Sequence, residues 1–188
     1  MGTMETIDWV EHIRLRSEWY AEEGIYTLLK GLIDVSVDEY QIGFGKELTI
    51  DIKDTCVIIR DDGRGLPLDA VVSVTSGSHV GMCNGNLGDV YEMNPYKVAN
   101  ALSAEYDISS YRDGFCSWAK YTKGILQDYG LERSDEKNGS LIRFVPDSEL
   151  FLNNIFSLVN VEAIVRNVAH QNKGMTISVN GTTFKESF

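Results

Sequence analysis

"IYTLLKGLIDVSVDEYQIGFGKELTIDIKDTCVIIRDDGRGLP", residues 25–67, decides the fold class, because the hydrophobic period changes inside it. Ile25, Leu28, Leu29, Leu32, Ile33 and Tyr40 recur at intervals of three and four, which predicts a helix over 25–40 with one buried face. Gly24 and Gly43 bracket that run as terminators. "ELTIDI" (47–52) and "TCVIIR" (55–60) then turn to β-branched residues, and Lys53-Asp54 between them predicts a tight hairpin. "DDGRGLP" (61–67) closes the stretch as a turn.

Outward from this centre the same logic fills the chain. Helical spacing recurs in "IDWVEHIRLRSEWY" (7–20), "YKVANALSA" (96–104) and "LVNVEAIVRNVAHQN" (158–172). "LDAVVSVTSGS" (68–78) predicts a short helix dissolving into a loop, and residues 79–95, with Gly81, Gly85, Gly88 and Pro95, a long loop. Strands are expected at 104–112, 114–123, 124–131, 139–146 and 174–180, with turns at Asp113-Gly114 and Asn180-Gly181. The fold class is therefore α+β: a two-layer α/β sandwich, one mixed and mostly antiparallel sheet with helices 7–20, 25–40, 96–104 and 158–172 on one face.

Composition excludes several function classes. The 188 residues suit a single domain, 1–188, and 43% of them are hydrophobic. No apolar run reaches the length of a membrane span, so no membrane partner is expected and a cytoplasmic location is. A net charge of −11 repels phosphate backbones, which argues against direct nucleic-acid binding by this domain. Cys56, Cys83 and Cys116 form no CxxC pair, and His12, His79 and His170 are as scattered, so neither a disulfide framework nor a zinc site is expected.

Seven segments occur in an order that carries more than their compositions: "HIRLR" (12–16), "LIDVSVDEY" (32–40), "RDDGRGLP" (60–67), "NALS" (100–103), "YRDG" (111–114), "NGSLIRFVPDSELF" (138–151) and "VRNVAHQNKGMTI" (165–177). Together they resemble the N-terminal ATPase subdomain of DNA gyrase B and of the B subunit of topoisomerase IV, of the GHKL (Bergerat) type. The resemblance covers nearly the whole chain and leaves no room for a transducer or DNA-cleavage domain. It implies ATP and Mg²⁺ as the family's ligands, and a domain that works with a protein partner: a topoisomerase subunit, a second copy of itself, or a neighbour in a larger complex.

The resemblance also assigns positions. The family's helix carries E-x-x-x-N followed by D-E. Its Glu is the general base for the attacking water, and its Asn holds the magnesium ion. With Asp34, Asp38 and Glu39 as anchors, those two positions here are Gly31 and Val35. Glycine has no side chain to accept a proton, and valine cannot bind a metal, so no catalytic residue and no metal ligand is expected. In "RDDGRGLP" the adenine-contacting Asp is Asp61, with Gly63 and Gly65 behind it. Ser140 stands where the family has a Thr, and Arg64 is expected to pair with Glu39. The family's glycine-rich phosphate loop has no counterpart before Asn100. "GDVYEMNPYKVA" (88–99) brings in Asp89, Glu92 and Pro95 instead, and "NGNLGDV" (84–90) reads as a plain loop. The family's rim arginine is replaced by Trp118. The vestigial pocket is expected between helix 25–40, turn 61–67 and Ser140, narrowed by Val35 and Trp118.

Three functions follow. The first is a gyrase-B-like domain that does not hydrolyse ATP, expects no cofactor and acts by binding protein. The second is a working ATP-binding or ATPase domain of a divergent type II topoisomerase, which would need Asp34 or Asp38 as a substitute base. The third is a sensor that binds the adenine moiety through Asp61, Gly65 and Ser140 without magnesium.

Overall fold

The computed structural model describes residues 8–76 and 94–187. Eight strands form one sheet in the order β5-β4-β3-β6-β2-β1-β7-β8. They are β1 (Glu47–Lys53), β2 (Cys56–Asp61), β3 (Ser103–Arg112), β4 (Phe115–Thr122), β5 (Ile125–Arg133), β6 (Gly139–Pro146), β7 (Thr176–Val179) and β8 (Thr182–Lys185). Among the described strands only β1 and β7 pair in parallel, so the sheet is mixed and mostly antiparallel. Alternate residues turn to one side. Ile50, Ile59, Ile108, Ile142, Phe144 and Ile177 are buried there under the helices, while Asp51, Arg60, Asp107 and Arg143 occupy the other side.

The helices are α1 (Trp9–Leu15), α2 (Ser17–Tyr20), α3 (Ile25–Gln41), α4 (Val71–Ser76), α5 (Pro95–Ala101) and α6 (Leu158–Gln171). α3 is the central one. Leu29, Leu32 and Ile33 are fully buried, and its C-terminus closes in the glycine-capped manner expected of Gly43. Gly43 N–H donates to Tyr40 O and Phe44 N–H to Glu39 O, each at 2.9 Å, with Gly43 at φ 92°.

The expected helix 7–20 is instead two helices broken at Arg16 (φ −123°). The first turns are held because Val10 and Ile13 are buried and because Arg14 is pinned: it donates to Ala101 O at 2.9 Å and to Asp147 at 2.6 Å. Beyond the break Leu15 and Trp19 are 66% and 67% exposed, so no buried stripe continues the axis. The first hairpin turns on Asp54-Thr55, one residue later than expected. Lys53 pairs with Cys56, and the left-handed position (φ 56°) falls to Asp54. A short aspartate tolerates that conformation better than a lysine. Asp113-Gly114 forms a turn with both φ positive (54° and 81°), as does Asn180-Gly181 (46° and 82°), which leads into β8, a strand too short for its pattern to be seen.

Candidate functional site

The C-terminal turn of α3 meets the turn after β2 through one ion pair. Glu39 Oε2 accepts from Arg64 N–H (3.2 Å) and Nε (3.0 Å), and Oε1 accepts from Arg64 Nη2 (2.8 Å). This fork holds the Glu39 carboxyl below the usual range and outweighs the opposing effect of partial burial. The Arg64 guanidinium also stacks over the Phe44 ring, 4.3 Å from its centre.

The turn itself is tied down on all sides. Asp62 Oδ1 accepts from the amides of Lys46 (2.6 Å) and Glu47 (2.7 Å), fixing the start of β1. Gly65 lies at φ 72°, and a Cβ there would stand 2.6 Å from Tyr111 O and 3.0 Å from Gly139 O. Only glycine fits that approach of the turn to β3 and β6. Ser110 Oγ donates to Leu66 O at 2.8 Å, and Arg112 Nη1 to Gly65 O at 3.3 Å.

Asp61 ends β2 on the helix-facing side. Its Oδ1 accepts from Gly63 N–H (2.9 Å) and Ser140 N–H (3.3 Å). Burial pushes this carboxyl up, and the two amides and the Ser140 hydroxyl only partly oppose it. The fold thus brings Asp61, Gly63, Gly65 and Ser140 together at one end of β2 and β6, with Glu39 and Arg64 alongside.

Gly31 lies on α3 where α5 crosses it. A Cβ at Gly31 would stand 3.1 Å from Pro95 Cβ and 3.7 Å from Pro95 Cγ. Val35, one turn further on, packs against the core. Pro95, expected in a loop, is the first residue of α5, where the missing N–H costs nothing. Asn94 caps that helix: its Oδ1 accepts from Tyr96 N–H at 3.0 Å, and its Nδ2 donates to Val74 O at 2.9 Å. The helix runs unbroken from Pro95 to Ala101, so no loop separates Tyr96 from "NALS". Tyr96 is 7% exposed. Burial pushes its phenol far up, and the charges of Asp61, Glu39 and Asp38 add to the shift. Pro95 was foreseen only as a loop residue where the family's phosphate loop would lie, and Tyr96 not at all; the N-capping Asn-Pro before an apolar-periodic run was the available signal. Asp89, Glu92 and "NGNLGDV" lie outside the described residues.

Two expectations change. Trp118 does not narrow this pocket: Ala119 and Tyr121 face the core, so Trp118, one step before Ala119, faces the opposite side of the sheet. There it lines a cleft of about 450 Å³ with Tyr111, Cys116 and Lys120. Asp34 and Asp38 line another cleft, of about 380 Å³, with Val168 and Gln171 of α6 and with Asn172 just past its end. Burial, then the Asp38 charge, raises the Asp34 carboxyl. Among the described residues, no group of three or more His, Cys, Asp or Glu side chains is gathered to hold a metal, and no helix is long and apolar enough to cross a membrane.

No family model matches the chain. Individual relatives do. It is 33% identical over 195 residues to the B subunit of DNA topoisomerase 4 from Borreliella burgdorferi, covering 96% of this chain and 32% of that protein. It is 28% identical over 197 residues to the B subunit of DNA gyrase from Enterococcus faecalis, covering 94% and 30%. Its fold matches the crystal structure of the 43K ATPase domain of Thermus thermophilus gyrase B in complex with an aminocoumarin, with a TM-score of 0.81 at 21% identity, over 98% of this chain and 53% of that one. The chain is a gyrase-B-like domain of the GHKL type. It spans about a third of the length of the curated relatives it matches.

In the gyrase-B-like frame the site has two unlike ends. At the Asp61 end, backbone amides and a carboxylate are organised around a turn. At the Gly31 end, a proline ring fills the approach, and the nearest carboxylates of α3 either pair with Arg64 or line the cleft against α6.

Proposed function

We propose that this gyrase-B-like domain does not hydrolyse ATP and acts by binding protein. The observation that carries the reading is the junction of α3 and α5. Gly31, at the position the resemblance gives to the general base, is packed against Pro95 at 3.1 Å from where a Cβ would begin. A water and a base need that volume. Val35, at the metal-ligand position, offers only methyl groups to a core contact. Among the described residues, the unbroken α5 offers a triphosphate no loop amides directly ahead of "NALS". The residues present therefore do not fit a magnesium–triphosphate, and burying its charge without donors or a cation is strongly unfavourable.

The relatives are named as B subunits, and a partner that is a topoisomerase subunit or a second copy of this chain is the reading closest to that description. The test is phosphate release with and without Mg²⁺. Turnover no higher than a protein-free blank is the expected result. Magnesium-dependent hydrolysis that Asp61→Asn abolishes would overturn the proposal and favour a working ATPase of a divergent type II topoisomerase.

A further inference from the structure

We propose that the ring of Tyr96 occupies the space beside Asp61 and Ser140 over the sheet, so that the domain carries its own occupant of a site which, once vacated, takes a purine. The inference rests on the non-hydrolysing reading only in taking the Asp61 end as the old nucleotide pocket.

The argument starts from the sheet. Asp61 and Ser140 lie at the end of a helix-facing row that continues into Ile59, Ile142 and Ile108, where Ile59 pairs with Ile142 and Ile142 with Ile108. This row would be the floor of a pocket opening at Asp61. It is closed: the three isoleucines are 1%, 3% and 1% exposed. An open ring-binding slot leaves such a floor accessible, so a side chain lies on it.

The placement of α5 identifies that side chain. Pro95 is pressed against Gly31 of α3, which sets the first turn of α5 directly beside the carboxylate-bearing face of α3. Tyr96 follows and is buried, whereas Lys97 turns outward to the Trp9 ring, 5.3 Å from its centre. The remaining buried side chains of α5 are small: Val98, Ala99, Asn100 and Ala101. The charges of Asp61, Glu39 and Asp38 act on the Tyr96 phenol from one side, and the Tyr96 phenol acts in turn on Tyr106, which lies one row beyond the isoleucines opposite Phe144. Asp61 and Tyr106 stand at opposite ends of the isoleucine row, and the buried Tyr96 phenol lies within electrostatic reach of both, which sets it over that row. A phenol and a 6-aminopurine share the features such a slot selects: a flat apolar face and a donor at the edge.

The test is isothermal titration of wild type, Tyr96→Ala and Tyr96→Phe with adenosine and with guanosine, without magnesium. Wild type and Tyr96→Phe are expected to show no saturable binding. Tyr96→Ala is expected to bind adenosine at least tenfold more tightly than wild type, and more tightly than guanosine, with the gain lost in Tyr96→Ala/Asp61→Asn. Free p-cresol should raise the melting temperature of Tyr96→Ala and compete with adenosine. Should Tyr96→Ala fail to fold, Tyr96→Leu carries the same comparison. A folded variant that gains no adenosine binding and no p-cresol stabilisation overturns the proposal, as does wild type binding adenosine as tightly as the variant. Either result leaves the phosphate-release test of the parent reading intact.

Discussion

Gly31→Ala and Gly31→Glu test the junction on which the functional reading depends. In the interior of an exposed helix, glycine costs about 1 kcal/mol relative to alanine, so Gly31→Ala should by propensity alone stabilise α3 by that amount. The structure opposes the gain. The new Cβ would stand 3.1 Å from Pro95 Cβ and 3.9 Å from Pro95 Cα. A proline ring cannot rotate away, so α5 must retreat by a few tenths of an ångström, and α5 is itself held by buried Val98, Ala99 and Ala101. Overpacking of this kind costs roughly 1–3 kcal/mol. At its low end this cancels the propensity gain, so Gly31→Ala should match wild type within about 0.5 kcal/mol by these two magnitudes. Gly31→Glu pushes a longer side chain into the same contact and should lose about 2–3 kcal/mol. For a domain of this size that lowers the melting temperature by about 5–10 °C. Urea denaturation followed by circular dichroism measures both. Pro95→Gly, which removes the ring, should couple to Gly31→Glu by about 1 kcal/mol or more in a double-mutant cycle. A full stabilisation by Gly31→Ala, or Gly31→Glu as stable as wild type with no coupling to Pro95, would mean that residue 31 faces open space, and the packing argument would fail.

Gly31→Glu combined with Val35→Asn returns the family's residue types, yet should show no magnesium-dependent phosphate release, because neither change removes the Pro95 ring; turnover above the blank would refute this. Arg14→Ala removes the nearer of two cations beside buried Asp147, leaving Lys123 at 3.8 Å, and should cost about 2–4 kcal/mol at neutral pH. Burial alone would raise the Asp147 carboxyl, but the Arg14 bond and the Glu149 amide more than offset it and hold it low. The contribution is therefore present above the ordinary aspartate pKa and lost as pH falls through the depressed folded value, so a gap between wild type and variant that persists undiminished at pH 2 would contradict it. Asp61 has the opposite sign: its carboxyl is raised by burial, so the ionised form is penalised above the folded pKa, and the penalty disappears as pH falls toward the ordinary value. Asp61→Asn, which keeps an acceptor for Gly63 and Ser140, should be more stable than wild type at pH 7 and lose that advantage in acid; destabilisation at pH 7 that is relieved in acid would reverse the assignment. Gly65→Ala places a Cβ 2.6 Å from a backbone carbonyl at positive φ and should cost about 3 kcal/mol in chemical denaturation, with a loss under 1 kcal/mol counting against the close approach.

The parts of this fold legible in the sequence are those decided within a few residues. The α3 stripe from Ile25 to Ile33, the Gly43 cap and the Asp113-Gly114 turn depend on local geometry, and they appear where their patterns put them. The break at Arg16 was hidden because it is set by Arg14 reaching Ala101 and Asp147, residues distant in sequence. The direction of Trp118 was hidden because a β-strand reverses its side chains at every step, so a motif match alone does not say which face a residue joins. Tyr96 was hidden for a third reason. Its first-turn position is ordinary for a helix, and only the close approach of Pro95 to Gly31 directs it toward Asp61.

The two ends of the site also differ in what the fold asks of them. Around the 61–67 turn nearly every family-like residue has a second duty. Asp62 fixes the start of β1, Gly65 admits β3 and β6, and Arg64 joins the turn to α3 through Glu39 and Phe44. Losing any of these loosens several elements at once, so their persistence needs no nucleotide to explain it. Position 31 has no such duty beyond admitting Pro95, and Val35 serves the core better than a polar amide would. Asp61 is the exception, since burial penalises its carboxylate form where an asparagine would satisfy the same two amides. A buried acid kept without a structural reason is the feature of the turn that points beyond stability, and it lies on the same face of the sheet as the Tyr96 ring.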